Sequence, residues 1–266
     1  MEWGKAKSVL IISFLMLNIL LGYQLWNDIS DRLNANVNSA ELPQDKLLLM
    51  QQKRITLSAI LPPETPKLSD LTYMLHSSSQ QQASPTPLKT PVDSGLIFSQ
   101  PELVKAIGKQ VQDLDSYHYN HHSSQHLNDV FVFHPIVDGR PMFNVKLELL
   151  KSNLKITEFR QDRVELIGRG EAKQVIPAAK AVASLIETYL EEGSVITDIQ
   201  LGYHGQIFDS EKQVSNPSWR VMLESDTVYY VHAISGEVTT DSDEEQERDK
   251  RDAESVRRGV TETPSK

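Results

Sequence analysis

Apolar positions along the 266-residue chain fall into distinct regimes. Residues 9–26, VLIISFLMLNILLGYQLW, form a run without a single charge. At ~1.5 Å per residue such a run reaches roughly 27 Å as a helix, close to the ~30 Å hydrocarbon core of a bilayer. Pro43 then opens a short helical run over residues 47–52. Strand candidates follow over 55–61 and 71–75, separated by the proline-broken turn PPETP at 62–66. Residues 77–94, SSSQQQASPTPLKTPVDS, are poor in apolar side chains and read as a flexible linker, because they bury too little to offset their ordering entropy.

Beyond the linker the periodicity becomes regular. Leu103, Ile107, Val111 and Leu114 recur at helical spacing behind a capping box at Ser99 and Glu102, which predicts a helix over 101–114. A strand over 130–133, an Asp138-Gly139 turn, an alternating strand over 143–149 and a turn at 151–153 lead into a further strand over 154–159. Pro177 then suits the first turn of a second helix with Val182, Ile186, Tyr189 and Leu190 on one face and Gly193 as its C-cap. Strands are predicted over 195–203, 219–223 and 228–234. Pro101/Pro177, Leu114/Leu190, Pro141/Pro217, Phe143/Trp219, Val145/Val221 and Leu147/Leu223 share one offset, which suggests a duplicated unit. The predicted fold class is α+β: an N-terminal transmembrane helix, then an extracytoplasmic region of two duplicated helix-plus-antiparallel-sheet units. The segments are a cytoplasmic stub (1–8), the transmembrane helix (9–26), a juxtamembrane segment with the linker (27–94), the first unit (95–168), the second (169–239) and a charged, disordered tail (240–266).

Flanking charge orients the anchor. Lys5 and Lys7 precede it and Asp28 and Asp31 follow it, so the positive-inside rule keeps the N-terminus cytoplasmic and the C-terminal region outside. Trp3, Tyr23 and Trp26 suit the two interfaces. Residues 22–27 supply no small-x-small cleavage site, which favours an uncleaved anchor over a signal peptide. Ile11, Leu15, Asn18 and Gly22 share one face of the anchor helix. An amide and a small residue there let a neighbouring helix approach and hydrogen-bond, so this face is the candidate partner contact.

Composition narrows the chemistry. A net charge of −9 argues against nucleic acid, and the absence of cysteine removes disulfides, thiolate metal sites and thiol nucleophiles. His118, His121, His122, His126 and His134 form the densest candidate metal cluster. They lie in a loop-like stretch without i, i+4 spacing and with one carboxylate, Asp129, nearby, so a connecting loop is the preferred reading. Glu148, Asp162 and Glu165 alternate with apolar positions and are expected on solvated strand faces. The seven acidic residues within 241–252 give a calcium ion no fixed geometry. Pro217-Ser218-Trp219 and Tyr229-Tyr230 are read as core rather than as a binding surface. No phosphate loop or nucleophile elbow is present in the sequence, so no catalytic, cofactor-binding or metal residue is assigned and the chain is not expected to be an enzyme.

Glu2-Trp3, Lys5, Lys7, Phe14, Leu17-Asn18-Ile19-Leu20 and Tyr23-Gln24-Leu25 closely resemble the start of the YycI family. The likeness continues through residues 55–66, through Pro217-Ser218-Trp219-Arg220-Val221, and through YVHAISGEV at 230–238. It spans most of the chain apart from the Ser/Gln/Pro segment and the charged tail, which lengthen the family pattern. The resemblance implies a non-enzymatic, membrane-anchored regulator of the WalK–WalR two-component system of low-GC Gram-positive bacteria. It would act with a YycH-like protein on a WalK-like sensor histidine kinase and so on cell-wall metabolism. The anchor agrees with this, since an eight-residue stub needs a partner that crosses the membrane. The closing strand–turn pattern is also similar to PepSY-like domains, which leaves an alternative: an extracytoplasmic binding module for a secreted or wall hydrolase.

Overall fold

The computed structural model describes residues 14–18, 21, 42–76, 84–121, 129–206, 210 and 212–240. In chain order the first elements are α1 (Gln44–Gln52), β1 (Thr56–Leu57), β2 (Lys67–Leu68), β3 (Leu71–His76), β4 (Thr86–Asp93), α2 (Gln100–Ile107), β5 (Tyr117–Tyr119) and β6 (Val130–Val137). There follow β7 (Arg140–Pro141), β8 (Leu147–Ser152), β9 (Lys155–Gln161), β10 (Arg163–Arg169), β11 (Lys173–Gln174), α3 (Ala178–Thr188), β12 (Val195–His204), β13 (Lys212–Leu223), β14 (Val228–His232) and β15 (Val238–Thr240). The described region is mixed α+β and mostly sheet.

Two sheets carry the structure. The first runs β4-β9-β8-β6-β5, with β7 folded back on β6. Its core forms where α2 and two 3-10 turns bring Ile97, Leu103, Ile107 and Leu114 onto Phe133, Leu147, Leu149 and Ile156. Tight turns connect its strands: Asp138 and Gly139, and then Asn153 and Leu154, all have positive φ, as the shortest hairpins require. The second sheet runs β1-β12-β13-β14-β15 under α1 and α3, and buries Ile196, Leu201, Trp219, Val221 and Val231 against Val182, Leu185 and Ile186. The two helices are tied by charge as well as packing. Lys53 donates to the carbonyls of Ile186 and Leu190 near the end of α3, at 2.8 and 3.2 Å, supplying a cation where those acceptors lack helical partners.

Strand β13 serves two neighbours in succession. Residues 212–215 pair with β3, and residues 216–223 pair with β12. Since β3 also pairs with β10, the strand following the first sheet is drawn into the second. A small third cluster, Leu71, Tyr73, Met142, Val145 and Tyr203, closes the seam between the two.

Several expectations change. The helix expected over 101–114 ends at Ile107. Gly108 caps it at a point where a Cβ would collide with the Val104 carbonyl, and Asp113 adopts positive φ. Val111 and Leu114 still reach the core through turns, which is why their spacing resembled a helix. Ser99 is the N-cap but makes no side-chain cap bond, so the capping box is not formed. Gly193, expected to cap the second helix, lies beyond its end in a turn bonded to the Lys53 carbonyl. Part of the expected linker is folded: β4 pairs with β9 from Thr86↔Phe159 to Asp93↔Lys155, and Leu88 is buried. Its prolines mark an edge strand, where a missing N–H is tolerated. The remainder of that linker, most of the anchor, and the tail beyond residue 240 lie outside the described residues.

The shared offset does not mark equivalent strand positions. Trp219 and Val221 lie within β13, whereas Phe143 and Val145 lie in the connection from β7 to β8. Trp219 is flanked in register by Leu201 and Val231; the corresponding place in the first sheet belongs to Leu149, flanked by Phe131 and Phe159. What recurs is the order of elements: a helix precedes three successively paired antiparallel strands in both halves.

Candidate functional site

The second sheet has one face under its helices and another turned away from them. Alternation along β12, β13 and β14 sends Asp198, Gln200, Gly202, His204, Ser218, Arg220, Tyr230 and His232 to that second face. Such a face ordinarily meets water, yet Arg220 is 2% exposed and His204 6%. The connection at residues 141–145, arriving from the first sheet, covers it. Met142 bridges to Tyr203, and the Phe143 N–H donates to the Tyr203 carbonyl at 2.9 Å. Gly202 permits the approach: a Cβ there would lie 2.5 Å from both the Phe143 ring and the Pro141 carbonyl oxygen.

Phe143 is the centre of this junction. The Arg220 guanidinium stands 4.6 Å from its ring centroid, and the His134 and Tyr230 rings lie 6.1 and 5.8 Å away. His204 lies flat on Tyr230 at 3.5 Å. Arg220 is also bonded to Asp198 at 2.8 Å and Gln200 at 3.0 Å, so its charge is balanced where water is scarce. Around the rim, Asn144 donates to the Tyr73 hydroxyl at 2.9 Å and to the Gly205 carbonyl at 3.2 Å. Asp138 takes Arg169 and the Tyr203 hydroxyl, and Arg140 pairs with Glu64 at 2.7 Å.

Burial tunes the titratable groups. His134 and His204 are both pushed down to about 3 by burial, and the Arg220 and Lys146 charges act on His134 in the same direction. His134 Nδ1 is 2.8 Å from the Val145 carbonyl, and Nε2 has no hydrogen-bond partner among the described residues. Tyr203 is pushed up to about 12, first by burial and then by Asp138. Asp138 and Glu64 are lowered by their hydrogen bonds to Arg169 and Arg140. This is chemistry for holding two bodies together: uncharged imidazoles, a compensated arginine and close aromatic contact.

The expected site residues are placed variously. Leu15 and Asn18 lie in the helical, exposed stretch 14–18, while Ile11 and Gly22 lie outside the described residues. Among the described residues no helix is long and apolar enough to cross a membrane. His118 is exposed on β5, opposite His134 on β6, and His121 approaches Tyr119; His122 and His126 lie outside the described residues. Among the described residues no three His, Asp or Glu side chains converge as metal ligands. Glu148 pairs with Arg160 at 3.3 Å and Glu165 is exposed, but Asp162, expected on a solvated face, is 9% exposed. Its carbonyl accepts the Tyr117 hydroxyl at 2.5 Å as the chain passes from β9 to β10, which keeps it inside. Trp219 is core as expected and donates to the Ile176 carbonyl at 2.9 Å. Tyr230 points the other way, into the junction. Two signals for the junction are present in the sequence: a glycine inside an apolar strand and an arginine inside Trp219-Arg220-Val221-Met222-Leu223.

The sequence model of the YycI protein family matches residues 36–234. No curated protein matches the chain. Among solved structures, an uncharacterized protein from Eubacterium rectale is 14% identical, with a TM-score of 0.28 over 42% of this chain. The match spans 37% of that protein's length.

Proposed function

The chain belongs to the YycI family, and from that premise we propose that it is a non-enzymatic, membrane-anchored regulator of a WalK-like sensor histidine kinase, working beside a YycH-like partner. Family membership carries this reading, because the family is one of two-component regulators rather than enzymes. In the proposed arrangement residues 9–26 span the membrane with the N-terminus inside, and the two sheets lie outside. A regulator so placed acts by binding one conformation of the kinase better than another. Ile11, Leu15, Asn18 and Gly22 are the proposed contact within the membrane. The recurrence of a helix followed by three paired strands supports descent from a duplicated unit, although not in the register that the shared offset suggested.

The Phe143 junction supports the outer part of the proposal. The buried Phe143 ring, packed on Arg220 and Gly202, joins the two sheets, so the outer region presents them to a partner together. Capture of the full chain from membranes tests the reading: a sensor kinase and a YycH-like protein are the expected companions. Recovery of a wall hydrolase without a kinase would replace it with the PepSY-like binding module.

A further inference from the structure

Past the junction, the outer face of the second sheet opens into a cleft of about 290 Å³. That is near the low end of the ~300–1,000 Å³ typical of small-molecule sites. His204, Asn216, Ser218, His232, Glu237 and Thr239 contribute to its lining. The His232 ring is fixed by the turn that follows it: Nδ1 accepts the N–H groups of Ile234 and Ser235 at 3.2 and 3.1 Å. Its proton therefore sits on Nε2, making that atom a hydrogen-bond donor. The side chains of Asn216 and Glu237 form no hydrogen bond or ion pair with other described residues.

The charge pattern decides what such a cleft accepts. Among the described residues its lining holds one carboxylate and no lysine or arginine, and Arg220 on the same face is committed to Asp198 and Gln200. An anion meets repulsion there. Donors (His232 Nε2–H and the Asn216 amide), acceptors (Glu237 and the Asn216 carbonyl) and the Thr239 hydroxyl stand together, the set needed by adjacent hydroxyls that each donate and accept. We propose that this cleft binds a neutral polyhydroxylated ring of hexose or N-acetylhexosamine size, with Glu237 and Asn216 taking neighbouring hydroxyls and His232 donating to a further oxygen. His204, uncharged and stacked on Tyr230, adds no competing charge.

The test uses the full chain in detergent micelles with ¹⁵N-labelled histidine. Glucose and N-acetylglucosamine are the probes, with inorganic phosphate and ethylammonium as counter-probes. A saturable shift of His232 Nε2 with at least one sugar is expected, and neither counter-probe reproduces it. Glu237→Gln, which keeps the shape and loses the charge, weakens that binding about tenfold or more, and so does Asn216→Ala. Should Asn216→Ala disturb the β12–β13 ladder, Glu237→Gln decides alone. No saturable response to either sugar, an equal response to ethylammonium or phosphate, or sugar binding indifferent to Glu237→Gln overturns the proposal.

Discussion

Acidification should loosen this protein well before its carboxylates titrate. His134 and His204 are held near 3 by burial, against an unfolded value near 6.5. The unfolded chain therefore binds more protons below about pH 6.5, and stability falls with pH from there toward about 3. Between roughly pH 7 and pH 5, each such histidine removes about 2 kcal/mol, so the pair removes about 4 kcal/mol. That is a large share of the ~5–15 kcal/mol by which a domain is stable. Asp138 and Glu64 act in the same direction, but at lower pH. Their lowered values give stability that is present above the unfolded carboxylate range and lost at more acid pH, so they leave this window alone. The assay is urea unfolding across the window, followed by near-ultraviolet circular dichroism of the full chain in detergent. His204→Gln should roughly halve the drop. Stability that stays flat from about pH 7 to pH 5, or a drop unchanged in the His134→Gln/His204→Gln double variant, would refute the account of two neutral buried imidazoles.

Other perturbations address the same junction. Gly202→Ala places a methyl against Phe143 and Pro141 and should cost about 1–3 kcal/mol in urea unfolding. Phe143→Ala leaves a cavity over Arg220 and should cost about 3–5 kcal/mol, with a loss of near-ultraviolet signal. Arg220→Ala leaves Asp198 without its buried partner and should cost about 3–5 kcal/mol, more than the half-exposed pair lost in Arg160→Ala. An externally active reporter fused after Pro91 should be active, and recovery of a secreted form lacking residues 1–26 would contradict the anchored topology.

Alternation and turn chemistry carried most of the fold. Residues 195–203 and 228–234 are legible as strands because β-branched and aromatic side chains are dense in them, and Asp138-Gly139 is legible as a hairpin because its dipeptide favours positive φ. Failures occurred where a local signal had two structural meanings. Val111 and Leu114 keep helical spacing while lying on turns, and Pro87 and Pro91 mark an edge strand that resembles a linker. Phe143 and Val145 alternate like a strand, yet they leave the first sheet to pack on the second. That last placement depends on Gly202 and Arg220, more than fifty residues away, and no local pattern contains it. The same holds for the cleft, whose His232 and Asn216 belong to different strands and meet only through register.

The proposed regulation has this chain biasing a sensor kinase through the face of residues 9–26 that carries Asn18 and Gly22, with the outer sheets adding affinity. Two linked contacts act at high effective concentration, and an interhelical hydrogen bond at Asn18 would be worth about 0.6–2 kcal/mol, a several-fold shift of a balanced equilibrium. The most direct measurement is quantitative co-purification of the kinase with the full chain, comparing the parent with Asn18→Leu/Gly22→Ile, alongside a transcriptional reporter of the kinase's regulon. The account predicts weakened kinase recovery and altered reporter output with membrane insertion unchanged, and a larger effect when the whole of residues 9–26 is exchanged for an unrelated apolar helix. Parent-like recovery and output in both variants would contradict it and leave the coupling to the outer sheets alone.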